Sequence, residues 1–374
     1  MTSRGLFYAR LEDRDWNFLR GLGERAPFDA AIIRANYLAP YPSEDHRFGE
    51  SPDRLVGALA KREWAWALDP NTAPHAHPKA AEWAAPRAQN CSLAQVTPLP
   101  WGPMRFDDPG LVAELVDRAV DLQRLAGGLA VPYFELKRPE DPELAVNCSL
   151  ISLIAERAGD QRVITYLQTL GSRLVDGSAE ESAKRYVDAG AETILIRIRR
   201  FQPHNLEQVL AYLKLVERIE ASGARAVADS TGHFGPVAVA AGADAFSAGA
   251  RFFRKVPDAL LSKPSERAED EDEESESGGG PPMLYEHPGQ LASVHPNAAG
   301  SHLASCGEPD CQAQDGKGEP RYIREHNLHE FRSLSRKAAR EGLRFASTLR
   351  DIGSPEALLW AAALDQRATQ RRAA

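Results

Sequence analysis

From residue 28 to residue 249 the chain repeats one hydropathy pattern: a short apolar run, a polar turn, then a stretch with helical spacing. The apolar runs are FDAAIIRAN (28–36), WAWALD (64–69), LAVPYFEL (129–136), RVITYLQTL (162–170), ETILIRIRR (192–200), ARAVADS (224–230) and ADAFSAG (243–249). Helical stretches between them include 52–63, 109–126, 178–190, 205–223 and 234–242. Near-continuous apolar strands alternating with amphipathic helices predict a parallel sheet covered by helices. Seven such strands, with an eighth expected at QVTPLP (95–100), predict α/β architecture as a (β/α)8 TIM barrel. A doubly wound open sheet is the alternative. It is disfavoured because no glycine-rich dinucleotide turn follows the first run.

The pattern breaks at PSERAEDEDEESESGGGPP (264–282). That acidic, Gly/Pro-rich stretch has too little apolar surface to offset the entropy of ordering, so a disordered insertion is expected. The expected organisation is a barrel over 1–263, the acidic linker over 264–282, a metal-binding segment over 283–326 and C-terminal helices over 327–374 that complete the barrel. Within 326–346, Leu328, Phe331, Leu334, Ala338 and Leu343 form a helical apolar stripe. Arg332, Arg336, Lys337, Arg340 and Arg344 decorate the other faces, the most basic surface in the chain. It reads either as a solvated face or as a phosphate-binding one.

Composition narrows the class. At 43% hydrophobic and 26% charged over 374 residues, the chain can bury a sizeable core. A net charge of −8 gives no global attraction for nucleic acid, so any such partner needs the local patch at 332–344. The N-terminus lacks the apolar region of a secretory signal, and no run approaches the ~18 apolar residues of a membrane span. Four cysteines form no disulfide framework and suit a reducing cytoplasm.

Two candidate sites follow. His302, Cys306, Cys311 and His326 supply two sulfur and two nitrogen donors, a set tetrahedral zinc accepts. His295 or His329 is an alternative for either histidine, and a pair of unliganded thiols is the alternative to a metal. In a barrel, chemistry gathers at the C-terminal strand ends. Asp69, Glu135, Gln168 and Asp229 lie there by pattern, and Asp244 opens the last run. Each is also a natural turn former or cap. Arg197 and Arg199 share a strand face and would suit an anion.

The string IREHNLHEF (323–331), ahead of a basic helix, resembles the C-terminal part of the tRNA-guanine transglycosylase family, which includes DNA-modifying 7-deazaguanine relatives. The resemblance implies a (β/α)8 barrel with a late structural zinc module, base exchange at a glycosidic bond, and a tendency to pair as dimers. Here two cysteines stand for the family's three, so the resemblance requires His302 as the fourth ligand. It implies acid/base work for Asp69, base recognition by Glu135 and Gln168, and a nucleophile on the last strand. That strand reads Asp244-Ala245-Phe246-Ser247, with serine at the nucleophile position, so Asp229 or Asp244 would have to act instead. The family's glycines beside the base are missing; Arg197, Arg199 and Arg200 occupy that strand. Three readings follow: a transglycosylase-like enzyme on tRNA or DNA, a non-catalytic barrel that binds nucleic acid or a partner subunit, and a barrel enzyme acting on a phosphorylated small molecule.

Overall fold

A computed structural model describes residues 4–11, 19, 22, 26–34, 59–72, 106–124, 126–138, 140–249, 285–287, 292–294 and 320–373. Eight parallel strands dominate it: β1 (Leu6–Leu11), β2 (Ala30–Arg34), β3 (Trp66–Asp69), β4 (Gly128–Ala130), β5 (Arg162–Leu170), β6 (Thr193–Arg199), β7 (Arg225–Ala228) and β8 (Ala245–Gly249). Their order is β3-β2-β1-β8-β7-β6-β5-β4. The first strand therefore pairs with the last, Leu6 opposite Ala245 and Arg10 opposite Gly249. The remaining seam, between β3 and β4, is bridged where Gly127 N donates to Trp66 O at 3.0 Å. Eight parallel strands in a nearly closed barrel, with helices between them, match the expected architecture and exclude an open doubly wound sheet.

One strand differs from expectation. The eighth strand is Leu6–Leu11, ahead of all the runs identified by hydropathy. QVTPLP (95–100) lies outside the described residues. The stretch LFYARL alternates: Phe7, Ala9 and Leu11 are buried towards the helices, whereas Arg10 points inward to Asp69 and Asp229. An arginine inside a six-residue run hides its apolar character from a hydropathy reading.

The helical layer is built by local signals. In α1 (Pro109–Leu122), Asp108 caps the start by accepting from Gly110 N and Leu111 N, with proline in the first turn. It is followed by α2 (Pro142–Arg157), α3 (Gly171–Val175) and α4 (Ser178–Asp188). Asn205 caps α5 (Leu206–Ala221) through Gln208 N. In α6 (Gly235–Ala241) every residue is buried, and Gly235 lies so close to Phe246 that a Cβ there would overlap the ring. A short antiparallel pair, β9 (Tyr285–His287) and β10 (Ala292–Val294), precedes α7 (Pro320–Glu341), α8 (Phe345–Ile352) and α9 (Pro355–Ala373).

The predicted stripe on α7 is the face that packs. Leu328, Phe331, Leu334 and Ala338 are buried, and Phe331 meets Phe7 of β1 and Phe246 of β8 at 5.5 and 5.7 Å. The helix starts at Pro320, so the expected boundary at 326/327 falls inside it. Two of its basic residues, Arg332 and Arg336, sit at the N-terminal end of the barrel. Arg332 binds Asp29 Oδ1 at 2.7 Å and Ala26 O at 2.8 Å, and Arg336 reaches the same carboxylate. Asp29 precedes β2 and also accepts from Phe7 N at the start of β1. The stripe thus clasps the floor of the barrel, at the end away from the C-terminal strand ends.

Asn147 of α2 fixes the stretch after β4. Its side chain accepts from Phe134 N at 2.8 Å and donates to Phe134 O at 3.0 Å and to Tyr186 Oη at 2.7 Å. This holds Tyr133 and Glu135 in place without a regular ladder. Asn147→Ala leaves two buried backbone groups without partners, and a loss of about 2–3 kcal/mol is expected in urea denaturation.

Candidate functional site

Four charged side chains from four strands meet inside the C-terminal end of the barrel. Arg197 of β6 donates from Nε to Asp229 at 2.6 Å and from Nη2 to Asp69 at 2.7 Å. Arg10 of β1 repeats the bridge from the other side, with Nε to Asp229 at 2.8 Å and Nη2 to Asp69 at 2.9 Å. Asp69 ends β3 and Asp229 follows β7. The two arginines and two aspartates form a closed lattice whose formal charges cancel.

Hydroxyl and amide groups complete it. The Tyr133 hydroxyl accepts from Arg197 Nη1 at 2.7 Å and donates to Asp69 Oδ1 at 3.1 Å. Asn71 N donates to the same oxygen at 3.0 Å. Ser247 of β8 donates to Asp229 Oδ1 and accepts from Ser230 N. The Tyr133 and Tyr166 rings stack at 4.8 Å, and the Arg197 guanidinium lies 4.8 Å from the Tyr166 centroid. Every oxygen of Asp69 and Asp229 therefore accepts two hydrogen bonds, the full capacity of a carboxylate.

Ionisation follows from this packing. Burial alone would push both aspartates up, but Arg197 and Arg10 outweigh it and hold Asp69 and Asp229 below the usual carboxylate range. Burial pushes the Tyr133 and Tyr166 phenols up, so both stay neutral. Because the folded-state carboxylates titrate lower than in the unfolded chain, their stabilisation is present above about pH 4 and is lost as pH falls below it. Thermal melts from neutral pH downward are expected to show a stability plateau, then a decline beginning near the ordinary aspartate range. A melting temperature flat to pH 3 would contradict the ionised lattice.

A second pair lies beside the first. Arg199 Nη1 binds both oxygens of Glu135 at 2.7 and 2.6 Å. Gln168 of β5 turns Oε1 towards Arg197 Nη1 at 3.5 Å. Backbone strain gathers at the same end. Four described non-glycine residues have positive φ, and three of them, Asn71 (50°), Arg200 (57°) and Ser230 (57°), lie within two residues of the ends of β3, β6 and β7. Such conformations persist where surrounding structure over-determines them, most often at functional sites.

Of the residues expected from sequence, Asp69, Glu135, Gln168, Arg197, Arg199 and Asp229 are brought together here. Asp244 is not. It precedes β8, and its backbone oxygen accepts from Gly5 N and Leu6 N at the start of β1. Its carboxylate faces Arg4 and Arg225 at 3.9 and 3.7 Å, at the floor of the barrel. Three residue steps along the strand separate it from Ser247, about 10 Å. Arg197 holds Asp69 and Asp229, and Arg199 holds Glu135, so each guanidinium expected to suit an anion already has a carboxylate partner. Arg10, Tyr133 and Tyr166 were missed. Arg10 and Tyr133 interrupt apolar runs that end at the barrel mouth, a usable signal once the first strand is recognised.

His302, Cys306 and Cys311 lie outside the described residues. His326 is buried on α7, as are its neighbours Glu325, Asn327, His329 and Glu330. Among the described residues no group of three or more His, Cys, Asp or Glu is placed to hold a metal. No helix among them is long and apolar enough to cross a membrane. No protein-family model matches the chain, and no curated protein matches it.

Proposed function

We propose that this chain is a transglycosylase-like barrel that exchanges or releases a (deaza)guanine-type base at a glycosidic bond in tRNA or DNA. The observation that carries the reading is the Ser247–Asp229 hydrogen bond. Serine stands on β8 where the resemblance expects the nucleophile, and it ties down a carboxylate from the neighbouring strand. Asp229 is then the group that faces the sugar carbon, as nucleophile or as electrostatic support. Asp69, once substrate has drawn one of its donors away, serves as a proton acceptor, and Glu135 and Gln168 hold the base. His302, Cys306, Cys311 and His326 would hold a structural zinc that fastens the late segment.

The saturated lattice sets a condition on this chemistry. A carboxylate with all its lone pairs engaged is a poor nucleophile. Substrate must therefore draw an arginine away from Asp229 before the sugar carbon is attacked. Phosphates near the mouth are not met by Arg332 or Arg336, which clasp the opposite end.

The same saturation favours a second reading, a barrel that binds nucleic acid or a partner subunit without chemistry. Labelled guanine incubated with the zinc-loaded chain and either tRNA or duplex DNA separates them. Incorporation of label, abolished in Asp69→Asn while nucleic-acid binding persists, supports the enzyme. Binding without incorporation, unchanged in Asp69→Asn, supports the binding module. The third reading, an enzyme acting on a phosphorylated small molecule, would need Arg197 or Arg199 to exchange its carboxylate for a phosphate.

A further inference from the structure

We infer that Arg10 is a ligand-contacting residue of the barrel mouth and reads a neutral carbonyl oxygen on the bound base. The inference rests on the base-handling reading above and adds a residue that no sequence motif marks. Three hydrogen bonds fix the guanidinium: Nε to Asp229 Oδ1 at 2.8 Å, Nη2 to Asp69 Oδ2 at 2.9 Å and Nη2 to Asp229 Oδ2 at 3.1 Å. Its Nη1 engages none of the described residues. A planar guanidinium held on one edge presents its other edge in a fixed direction.

Exposure singles out the same group. The Arg10 side chain is 11% exposed, against 0% for its Asp69 partner and 2% for Arg197. Arg10 is thus the member of the lattice that an entering molecule meets.

Charge decides what that molecule offers. Two arginines and two aspartates cancel, so an added anion would sit beside Asp69 and Asp229 with no cation left over. A neutral acceptor takes the Nη1 donors without that cost. Gln168 points its carbonyl oxygen at Arg197, which leaves its amide donors for a ligand as well. The mouth is therefore a donor surface over a neutral floor, suited to the carbonyl edge of a guanine-type ring.

Calorimetric titration of the full chain with guanine and with 6-thioguanine tests this. The two share their ring N–H and amino donors, but sulfur is the weaker acceptor. Wild type is expected to prefer guanine by about tenfold or more. Arg10→Lys keeps the charge in the lattice but loses the second edge, so the preference should fall to about twofold or less. A preference that survives in Arg10→Lys overturns the role of Arg10 and leaves the base reading standing. A wild type that binds neither compound overturns both. Should Arg10→Lys fail to fold, the wild-type preference decides: its absence overturns the inference and its presence supports it.

Discussion

Arg197→Met is expected to lower the stability of the folded chain by about 3–5 kcal/mol at neutral pH. Arg197 is buried and binds Asp69 and Asp229 together. Methionine keeps much of the aliphatic volume but leaves two buried carboxylates sharing one guanidinium, that of Arg10. The excess negative charge is expelled by protonation, so both aspartates titrate higher in the variant. The deficit is therefore largest at neutral pH and shrinks as pH falls below the ordinary aspartate value of about 3.9. Urea denaturation of both proteins at neutral pH and near pH 4 measures it. A loss under about 1 kcal/mol at neutral pH would mean the lattice is not the electrostatic keystone of the barrel's upper half.

Asp229→Asn is expected to remove base exchange by at least about a hundredfold, the scale on which a group acting in the transition state is felt. The amide is isosteric and can still accept from Arg10 Nε and Ser247, but its NH2 faces the Arg197 and Arg10 donors that Oδ2 accepts. A stability loss of about 2–4 kcal/mol is therefore expected, and turnover is measured on the folded fraction. The amide can no longer attack a sugar carbon or stabilise developing positive charge. Guanine binding should change far less than turnover, because Asp229 binds Arg10, Arg197 and Ser247, whereas Glu135 and Gln168 are the proposed base-holding groups. Equal losses in binding and turnover would instead assign Asp229 to the architecture of the mouth. Single-turnover rates beside calorimetric affinities separate these outcomes.

The barrel was legible because parallel strands buried on both faces read as apolar runs, and helices between them read by period. The strand that escaped, Leu6–Leu11, is short and carries Arg10 among its apolar residues. Strand alternation showed that Arg197 and Arg199 share a face. It did not show their partners, because Arg197 meets Asp69 across 128 residues and Arg199 meets Glu135 across 64. Hydropathy carries no such long-range information; only closure of the barrel brings those positions together. Asp244 was misplaced for a related reason. It shares a short string with Ser247, yet a residue that opens a parallel strand and one near its end lie at opposite rims. The basic stripe on α7 was read correctly as a helix, but its height on the barrel depended on Asp29, some 300 residues away in sequence.

The most direct measurement compares base exchange in Asp229→Asn and Asp244→Asn. The chemical change is the same in each, made at the two ends of one barrel. Loss of label incorporation in Asp229→Asn, with Asp244→Asn within about twofold of wild type, is the predicted result. Activity retained in Asp229→Asn, or lost only in Asp244→Asn, would contradict a site at the C-terminal mouth built on the Arg10–Asp69–Arg197–Asp229 lattice.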